Sequence, residues 1–170
     1  MIYPKKIKKL VNTKKIAYFI NIDILMQEGK KNMNNDIINK IKAYLNYFIK
    51  IDIDKYYTKL DFHKYLQSKI AKMSVIFGLK AIMEYEVYCN DRNGRVDVVW
   101  VNSNNKIIFA IEIDSCLRKK SIEKLNHINA ENKIWILYCK KKYINLFNKL
   151  MSQYNTNNIS TIFLDEPFCD

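Results

Sequence analysis

The sequence predicts an α/β fold built around one core, and three observations support this prediction. The chain has 170 residues, the length of one ordinary domain. Hydrophobic residues make up 49% of it, which is enough to fill a core of that size. From residue 61 onward, segments with helical spacing of apolar residues alternate with short strand-like segments. Their order, α β β β α β α β, is typical of helices packed on a sheet.

The first 60 residues are predicted to form a basic α/β extension that packs on a core of residues 61–170. Residues 16–26 alternate apolar and polar residues as a strand does, and residues 27–35 form a polar loop. Apolar residues then recur at helical spacing up to Lys50, in a helix that Asp36 can cap. The extension has 13 basic and 5 acidic residues, a net charge of +8, whereas the core has a net charge of +4.

The core is predicted to begin with a helix and a β-hairpin. Asp61 caps the helix, and Gly78 stands where a C-terminal glycine ends it. Strands follow at residues 83–89 and 95–101. Residues 90–94 between them, NDRNG, contain the asparagine, aspartate and glycine that favour a tight hairpin turn.

The rest of the core is predicted to alternate strands and helices. A third strand covers residues 106–114, and a helix with one apolar face follows at 117–128. Residues 133–139 are almost continuously apolar, which is typical of a strand buried on both faces. Residues 143–154 have helical spacing, and residues 159–164 form a last short strand.

Composition excludes several classes of protein. Only 3 glycines occur, and none lies in a nucleotide-binding glycine motif. The 4 cysteines include no CxxC pair, so no zinc knuckle or thioredoxin-type site is indicated and buried free thiols are expected. No signal peptide is visible, and no stretch approaches the ~18 apolar residues of a membrane span. A soluble, cytoplasmic protein without membrane contact is expected.

The net charge of +12 indicates a polyanionic partner such as nucleic acid. The lysine- and asparagine-rich composition also fits an AT-rich genome, such as that of a virus or mobile element. In that case the protein would act in an infected host cell, and part of its charge would be a general property of the surface.

Three acidic residues interrupt strands that otherwise have the composition of a core. Asp97 lies in RVDVVW, and Glu112 and Asp114 lie in FAIEID. A buried carboxylate needs a cation, a donor or a metal. Residues i and i+2 of a strand point the same way, so Glu112 and Asp114 project together, and the adjacent strand can place Asp97 beside them. Such an all-oxygen set suits Mg²⁺ or Mn²⁺, bound by all three acids.

A structural ion pair is the alternative for each acid. The candidate partners are Arg95 or Arg92 for Asp97, and Lys106 or Lys119 for Glu112. The histidines, His63 and His127, stand at helical positions with no partner signature, so surface or capping roles are expected for them.

Residues 61–139, with GRVDVVW, AIEID, a crossover helix and KIWILY, resemble the core of the PD-(D/E)XK, or restriction-endonuclease-like, nuclease superfamily. Its motif is an Asp on the second strand and (D/E)-x-K on the third, which bind one or two Mg²⁺ ions. Asp97 matches the first acid, and Glu112 matches the second after 15 residues. The resemblance implies a central mixed β-sheet flanked by helices, and Mg²⁺-dependent hydrolysis of DNA by an endonuclease or exonuclease.

Asp114 stands where the superfamily has its lysine, and three explanations remain open. The following helix could supply the cation from Lys120 or Lys124, which share a face; we select Lys120 for the catalytic role. Asp114 could instead be a further metal ligand, so that the metal alone activates water. In the third explanation catalysis is lost, and an inactive nucleic-acid-binding protein keeps the fold.

The superfamily often has a Glu on its first core helix, which this chain lacks. Glu86, or Glu84 on the same face of the first strand, could replace it, and we favour Glu86 as closer along the hairpin to Asp97. Double-stranded DNA is the expected partner, and a homodimer would suit the cutting of two strands. A small host-interaction protein with incidental charge is a remoter alternative. The residues expected to bind DNA are Arg95, Arg118, Lys119 and Lys124.

Overall fold

The computed structural model describes most of the predicted core and part of the extension. The described residues are 33–52, 58–139, 144–154, 156 and 158–164. The predicted strand at 16–26 lies outside them. The chain divides into two compact units, Met1–Lys40 and Ile41–Asp170, and the sheet belongs to the second.

The described helices and strands follow the order predicted from the sequence. The helices are α1 (Met33–Asp52), α2 (Lys59–Met73), α3 (Lys119–His127) and α4 (Ile144–Gln153), and a 3₁₀ turn, Ser74–Phe77, follows α2. The strands are β1 (Lys80–Cys89), β2 (Arg92–Val101), β3 (Ile107–Asp114), β4 (Asn132–Tyr138) and β5 (Ile159–Leu164).

The described strands form one mixed sheet in the order β1-β2-β3-β4-β5. Neighbours among β1, β2 and β3 are antiparallel, whereas β4 runs parallel to β3 and β5 runs parallel to β4. A parallel pair needs a crossover connection, which α3 supplies between β3 and β4. The predicted α/β class with a mixed sheet flanked by helices is therefore confirmed.

Helices pack on both faces of this sheet. On one face, Phe62 of α2 meets Tyr138 of β4 edge to face, with 5.1 Å between ring centroids. On the other, Ile122 and Leu125 of α3 belong to a buried cluster that includes Trp135. Trp135 and Tyr138 lie three residues apart on β4, so they point to opposite faces.

Both first helices begin earlier than predicted. α1 begins at Met33, and Asp36 lies in its first turn, where it pairs with Lys40 at 2.6 Å. The N-cap of α2 is Thr58 rather than Asp61. Thr58 Oγ1 accepts a hydrogen bond from the Asp61 backbone at 3.1 Å and donates one to Asp61 Oδ2 at 2.6 Å. The first backbone N–H groups of a helix have no partner within the helix. The Thr58 side chain accepts a hydrogen bond from one of them, that of Asp61, and so caps α2 one turn before the predicted position.

We expect Thr58→Ala to lower the free energy of unfolding by about 1 kcal/mol, because the helix loses its side-chain cap. Urea unfolding followed by circular dichroism measures the loss. Ser103→Ala, at an exposed position in the turn after β2, is the control and should change the same free energy by less than about 0.5 kcal/mol. Equal effects of the two substitutions would contradict the capping role.

The predicted hairpin is present, with a shorter turn. Cys89 pairs with Arg92, so only Asn90 and Asp91 form the turn. Both have left-handed backbones, with φ of 49° and 58°, which is the conformation of a type I′ turn. β2 therefore begins at Arg92, and Gly94 lies within the strand rather than in the turn.

Two further expectations concern the whole chain. Cys89 is buried as predicted, but Cys116 is exposed, because it lies in the loop between β3 and α3. Within the described residues, none of the helices has the length and apolar character that crossing a membrane requires.

Candidate functional site

A cleft of about 500 Å³ opens between α2, the β1–β2 hairpin, the end of β3 and the start of α3. Its floor consists of the three acids that interrupt the strands: Asp97, Glu112 and Asp114. Glu112 and Asp114 are 1% and 6% exposed. Its rim includes the exposed acid Glu84 and five exposed basic residues: Lys64, Arg92, Arg95, Arg118 and Lys120.

The cleft forms where β2 and β3 separate. Their ladder of paired residues runs from Val101 back to Val98, opposite Ile111, and stops there. At the next residue a side chain replaces the backbone as the acceptor: Asp97 Oδ2 accepts a hydrogen bond from the Ile113 backbone N–H at 2.7 Å. The separation brings Asp97 and Glu112, the first residues beyond the paired region, to the floor.

β1 is also irregular at this point. Glu84 lies opposite Asp97, between the pairs Met83–Val98 and Tyr85–Val96. Its φ of 54° is left-handed, a conformation that costs a residue other than glycine about 1–3 kcal/mol. Surrounding contacts hold it there: Gln67 Nε2 donates to Glu84 Oε1 at 2.6 Å and to the Asp97 carbonyl oxygen at 2.9 Å.

Glu112 is the most buried acid of the floor. Its Oε2 lies 2.6 Å from Lys124 Nζ, while its buried Oε1 has no hydrogen-bond partner among the described residues. Burial, reinforced by the charge of Asp97 and opposed by Lys124, raises the pKa of Glu112 to about 8. The carboxylate therefore has one oxygen available for a proton or a cation.

Lys124 reaches Glu112 from α3, across the base of the hairpin. Its Nζ also donates to the Arg95 carbonyl oxygen at 2.6 Å, and its side chain is 18% exposed. The aliphatic stem runs close to Gly94, where an added Cβ would lie 3.2 Å from Lys124 Cδ. The absence of a side chain at Gly94 thus leaves the space that the lysine stem occupies.

Asp97 is held by contacts from two other elements, β3 and α2. Besides the Ile113 amide, its Oδ1 lies 3.4 Å from His63 Nε2 of α2. A hydrogen bond to Asp97 raises the pKa of His63, although burial acts in the opposite direction. His63 therefore lies close enough to the Asp97 carboxylate to form an ion pair with it when the imidazole is protonated.

Asp114 has hydrogen-bonding partners on both of its oxygens. Oδ2 accepts from Trp135 Nε1 at 2.8 Å, and Oδ1 lies 3.3 Å from Arg118 Nε. Burial raises its pKa, and hydrogen bonds from Ser121 and Trp135 and the charge of Arg118 oppose that rise. Each oxygen of Asp114 thus has a protein partner, as each oxygen of Asp97 does, and the predicted role of Asp114 as a metal ligand stays a prediction.

The structural ion pairs considered for Asp97 and Glu112 are not the ones that form. Lys106 pairs with Glu131 at 2.6 Å. Lys119 and Arg92 both pair with Glu123, at 3.4 and 3.3 Å. The expectation for His63 is likewise corrected, since the residue contacts the Asp97 carboxylate rather than serving as a cap or surface group.

Two further predicted site residues have neighbours other than those expected. Glu86 is not the acid nearer to Asp97: the hairpin register places it opposite Arg95, exposed and just outside the cleft lining, whereas Glu84 lines the cleft. Lys120 does line the cleft, but Lys124 is the lysine that contacts Glu112. One turn of helix separates the two lysines, and the packing of α3 decides between them.

Of the residues expected to bind DNA, Arg95 and Arg118 lie on the rim. Lys119 is exposed and outside the lining of the cleft, and Lys124 lies inside as the partner of Glu112. His63 and Gln67 are site residues that the sequence analysis missed. Their spacing of four, beside the buried Phe62 and Leu66, placed two polar groups at the margin of the apolar stripe of α2.

The acidic side chains of the cleft are the groups that could hold a metal ion. The described residues contain no group of three histidine, cysteine or acidic side chains arranged around one point. Asp97 and Glu112 remain as two electrostatically coupled carboxylates at one cleft, and Glu112 Oε1 is a buried oxygen without a partner in the described part of the chain. Carboxylate oxygens are the donors that a hard divalent cation prefers, so Asp97 and Glu112 are the residues of this cleft that could hold one.

Comparison with known proteins finds no family model, no curated protein and no solved structure that matches this chain.

Proposed function

We propose that the protein is a metal-dependent nuclease that hydrolyses phosphodiester bonds of DNA in this cleft. The observation that supports it most is the group of Asp97, Glu112 and Lys124 on the floor, with a lysine amine 2.6 Å from a buried carboxylate whose other oxygen has no partner among described residues. Acids that bind a cation, a lysine beside them and a basic rim together suit hydrolysis of a polyanion.

The fold is consistent with a restriction-endonuclease-like core. An antiparallel β1–β2–β3 meander precedes the crossover helix α3 and the parallel strand β4, and the two motif acids lie at the separation of β2 and β3. The element order agrees with the superfamily that residues 61–139 resemble. We therefore assign the core to that type as part of the proposal.

In this proposal Asp97 and Glu112 hold Mg²⁺ or Mn²⁺. The ion, when bound, lowers the pKa of a water molecule and polarises a phosphoryl oxygen. Lys124, held by Glu112 and by the Arg95 carbonyl oxygen, orients the attacking water and stabilises negative charge on the phosphate. His63 and Gln67 keep Asp97 in position through contacts with its carboxylate and its backbone.

The rim supplies the affinity for substrate. Five exposed basic residues line the cleft mouth beside one exposed acid, Glu84, and around two acids that are almost fully buried, Glu112 and Asp114. The cations attract phosphates, and the acids do not repel them strongly once a metal and Lys124 balance their charge. Contacts of this kind read the backbone rather than the bases, so double-stranded DNA of any sequence is the proposed substrate.

Cleavage of supercoiled and linear duplex DNA in Mg²⁺, Mn²⁺ or EDTA tests the proposal. Wild type should cut only with a divalent metal, and Glu112→Gln and Asp97→Asn should each lower the rate at least about 10²-fold. Glu86→Gln removes an exposed acid outside the cleft and should leave the rate unchanged.

Two outcomes would overturn the proposal. If wild type binds DNA but does not cut it under any metal condition, the protein is the inactive nucleic-acid-binding alternative. If both acid variants cut as fast as Glu86→Gln, the activity lies outside this cleft.

A further inference from the structure

Asp114 occupies the motif position of the superfamily's lysine, yet it is buried and each of its carboxylate oxygens has a partner. It is 6% exposed and receives hydrogen bonds from the indole of the fully buried Trp135 and from Ser121. Two donors of the protein interior therefore fix the direction of this carboxylate. A carboxylate fixed in this way can hold an arginine in one orientation.

The arginine that it holds is Arg118, on the rim of the cleft. Arg118 Nε lies 3.3 Å from Asp114 Oδ1, but the arginine side chain is 60% exposed, against 7% for the aspartate. Nε is one edge of the guanidinium, which has two further amino groups for other acceptors. One end of the pair is thus buried and rigid, and the other faces solvent at the mouth of a site with acids on its floor.

We propose that Arg118, oriented by Asp114, is a phosphate anchor that binds a DNA phosphate adjacent to the one that is cut. The inference rests on the proposed nuclease function and adds the role of each residue: Arg118 binds substrate, and Asp114 is a positioning residue. Arginine suits the task because its planar donors bind phosphate oxygens in pairs, and a guanidinium already oriented loses less freedom on binding.

In this proposal Asp114 has a different role from Glu112, its neighbour on the same face of β3. Glu112 keeps a buried oxygen without a partner among the described residues, as a cation-binding carboxylate requires. Asp114 has Trp135 on one oxygen and Arg118 on the other. A loss of Asp114 should therefore act on binding of DNA, not on the chemical step.

Fluorescence anisotropy with a labelled duplex in EDTA measures binding without cleavage. Arg118→Ala should weaken binding about tenfold, and the slope of log K against log salt should fall by about 0.9. Asp114→Asn should weaken binding in the same direction, and the double variant should bind no more weakly than Arg118→Ala. Arg118→Lys should restore part of the affinity. Lys64→Ala, a rim cation on α2, is the control for loss of charge without an anchored geometry and should have the smaller effect.

Cleavage assays with Mg²⁺ separate this inference from the proposed function. Both substitutions should raise KM and leave kcat within about threefold, because the metal-binding acids are untouched.

Unchanged binding and salt slope in Arg118→Ala, or fully additive losses in the double variant, would overturn the role of Arg118 as a phosphate anchor. A fall of kcat at constant KM in Asp114→Asn would make Asp114 a metal ligand instead. If wild type binds but does not cut, the nuclease proposal fails while the binding experiment still decides the anchor. Trp135→Phe, which removes one donor to Asp114, replaces Asp114→Asn if that variant does not fold.

Discussion

In the proposed nuclease, replacing Lys124 with methionine is expected to lower the rate of DNA cleavage about 10²- to 10³-fold. Methionine keeps much of the aliphatic stem that passes Gly94 but removes the amine that contacts Glu112 and the Arg95 carbonyl oxygen. The water and the phosphate then lose their fixed positive charge, and Glu112 loses the cation that opposes the rise of its pKa. The measurement is kcat on supercoiled plasmid with Mg²⁺, with circular dichroism to verify folding.

Lys120→Met is the matched control for this prediction. Lys120 is an exposed lysine in the first turn of the same helix and lines the same cleft. Its loss should raise KM modestly and leave kcat nearly unchanged. The reverse result, a large loss with Lys120→Met and none with Lys124→Met, would show that Lys120 is the catalytic lysine. Gly94→Val should give an intermediate loss, because its side chain would displace the Lys124 stem.

Glu112→Gln is expected to make the metal-free protein more stable at alkaline pH. The pKa of Glu112 is about 8 in the folded protein, against an ordinary value of 4.5. A raised carboxyl pKa contributes stability that is complete below the unfolded pKa and is lost as pH rises through the folded pKa. Each pKa unit corresponds to about 1.4 kcal/mol, so ionisation of Glu112 costs the fold up to several kcal/mol near pH 9.

Urea unfolding in EDTA between pH 4 and 9 measures this effect. Near pH 4, below the unfolded pKa of 4.5, Glu112 is largely protonated in both states and resembles a glutamine, so wild type and variant should have similar free energies of unfolding. The variant should become progressively the more stable of the two as pH rises toward 9. Glu86→Gln, at an exposed position on β1, should follow wild type throughout. A difference between wild type and Glu112→Gln that does not change with pH would contradict the raised pKa.

The order of elements and the position of the acids on them follow from the sequence. Apolar periodicity distinguishes strand from helix locally, and the strand at 159–164 was predicted with the bounds observed. The same local rule, that residues two apart in a strand share a face, placed Glu112 and Asp114 together. Where local chemistry misled, it did so by a short distance: Thr58 caps α2 three residues before Asp61, because both residue types are good caps.

Contacts between elements decided the roles within the site. Lys120 and Lys124 share a face of α3, and only the approach of that helix to the glycine at position 94 brings Lys124 to Glu112. The hairpin register, which depends on the length of its turn, placed Glu84 rather than Glu86 opposite Asp97. The partners of Asp114 are Trp135 of β4, 21 residues further along the chain, and Arg118, the N-cap of α3, four residues further along. Spacing along a chain specifies which residues share a face, but the partner that each one meets depends on how the faces pack, and that is a property of the tertiary structure alone.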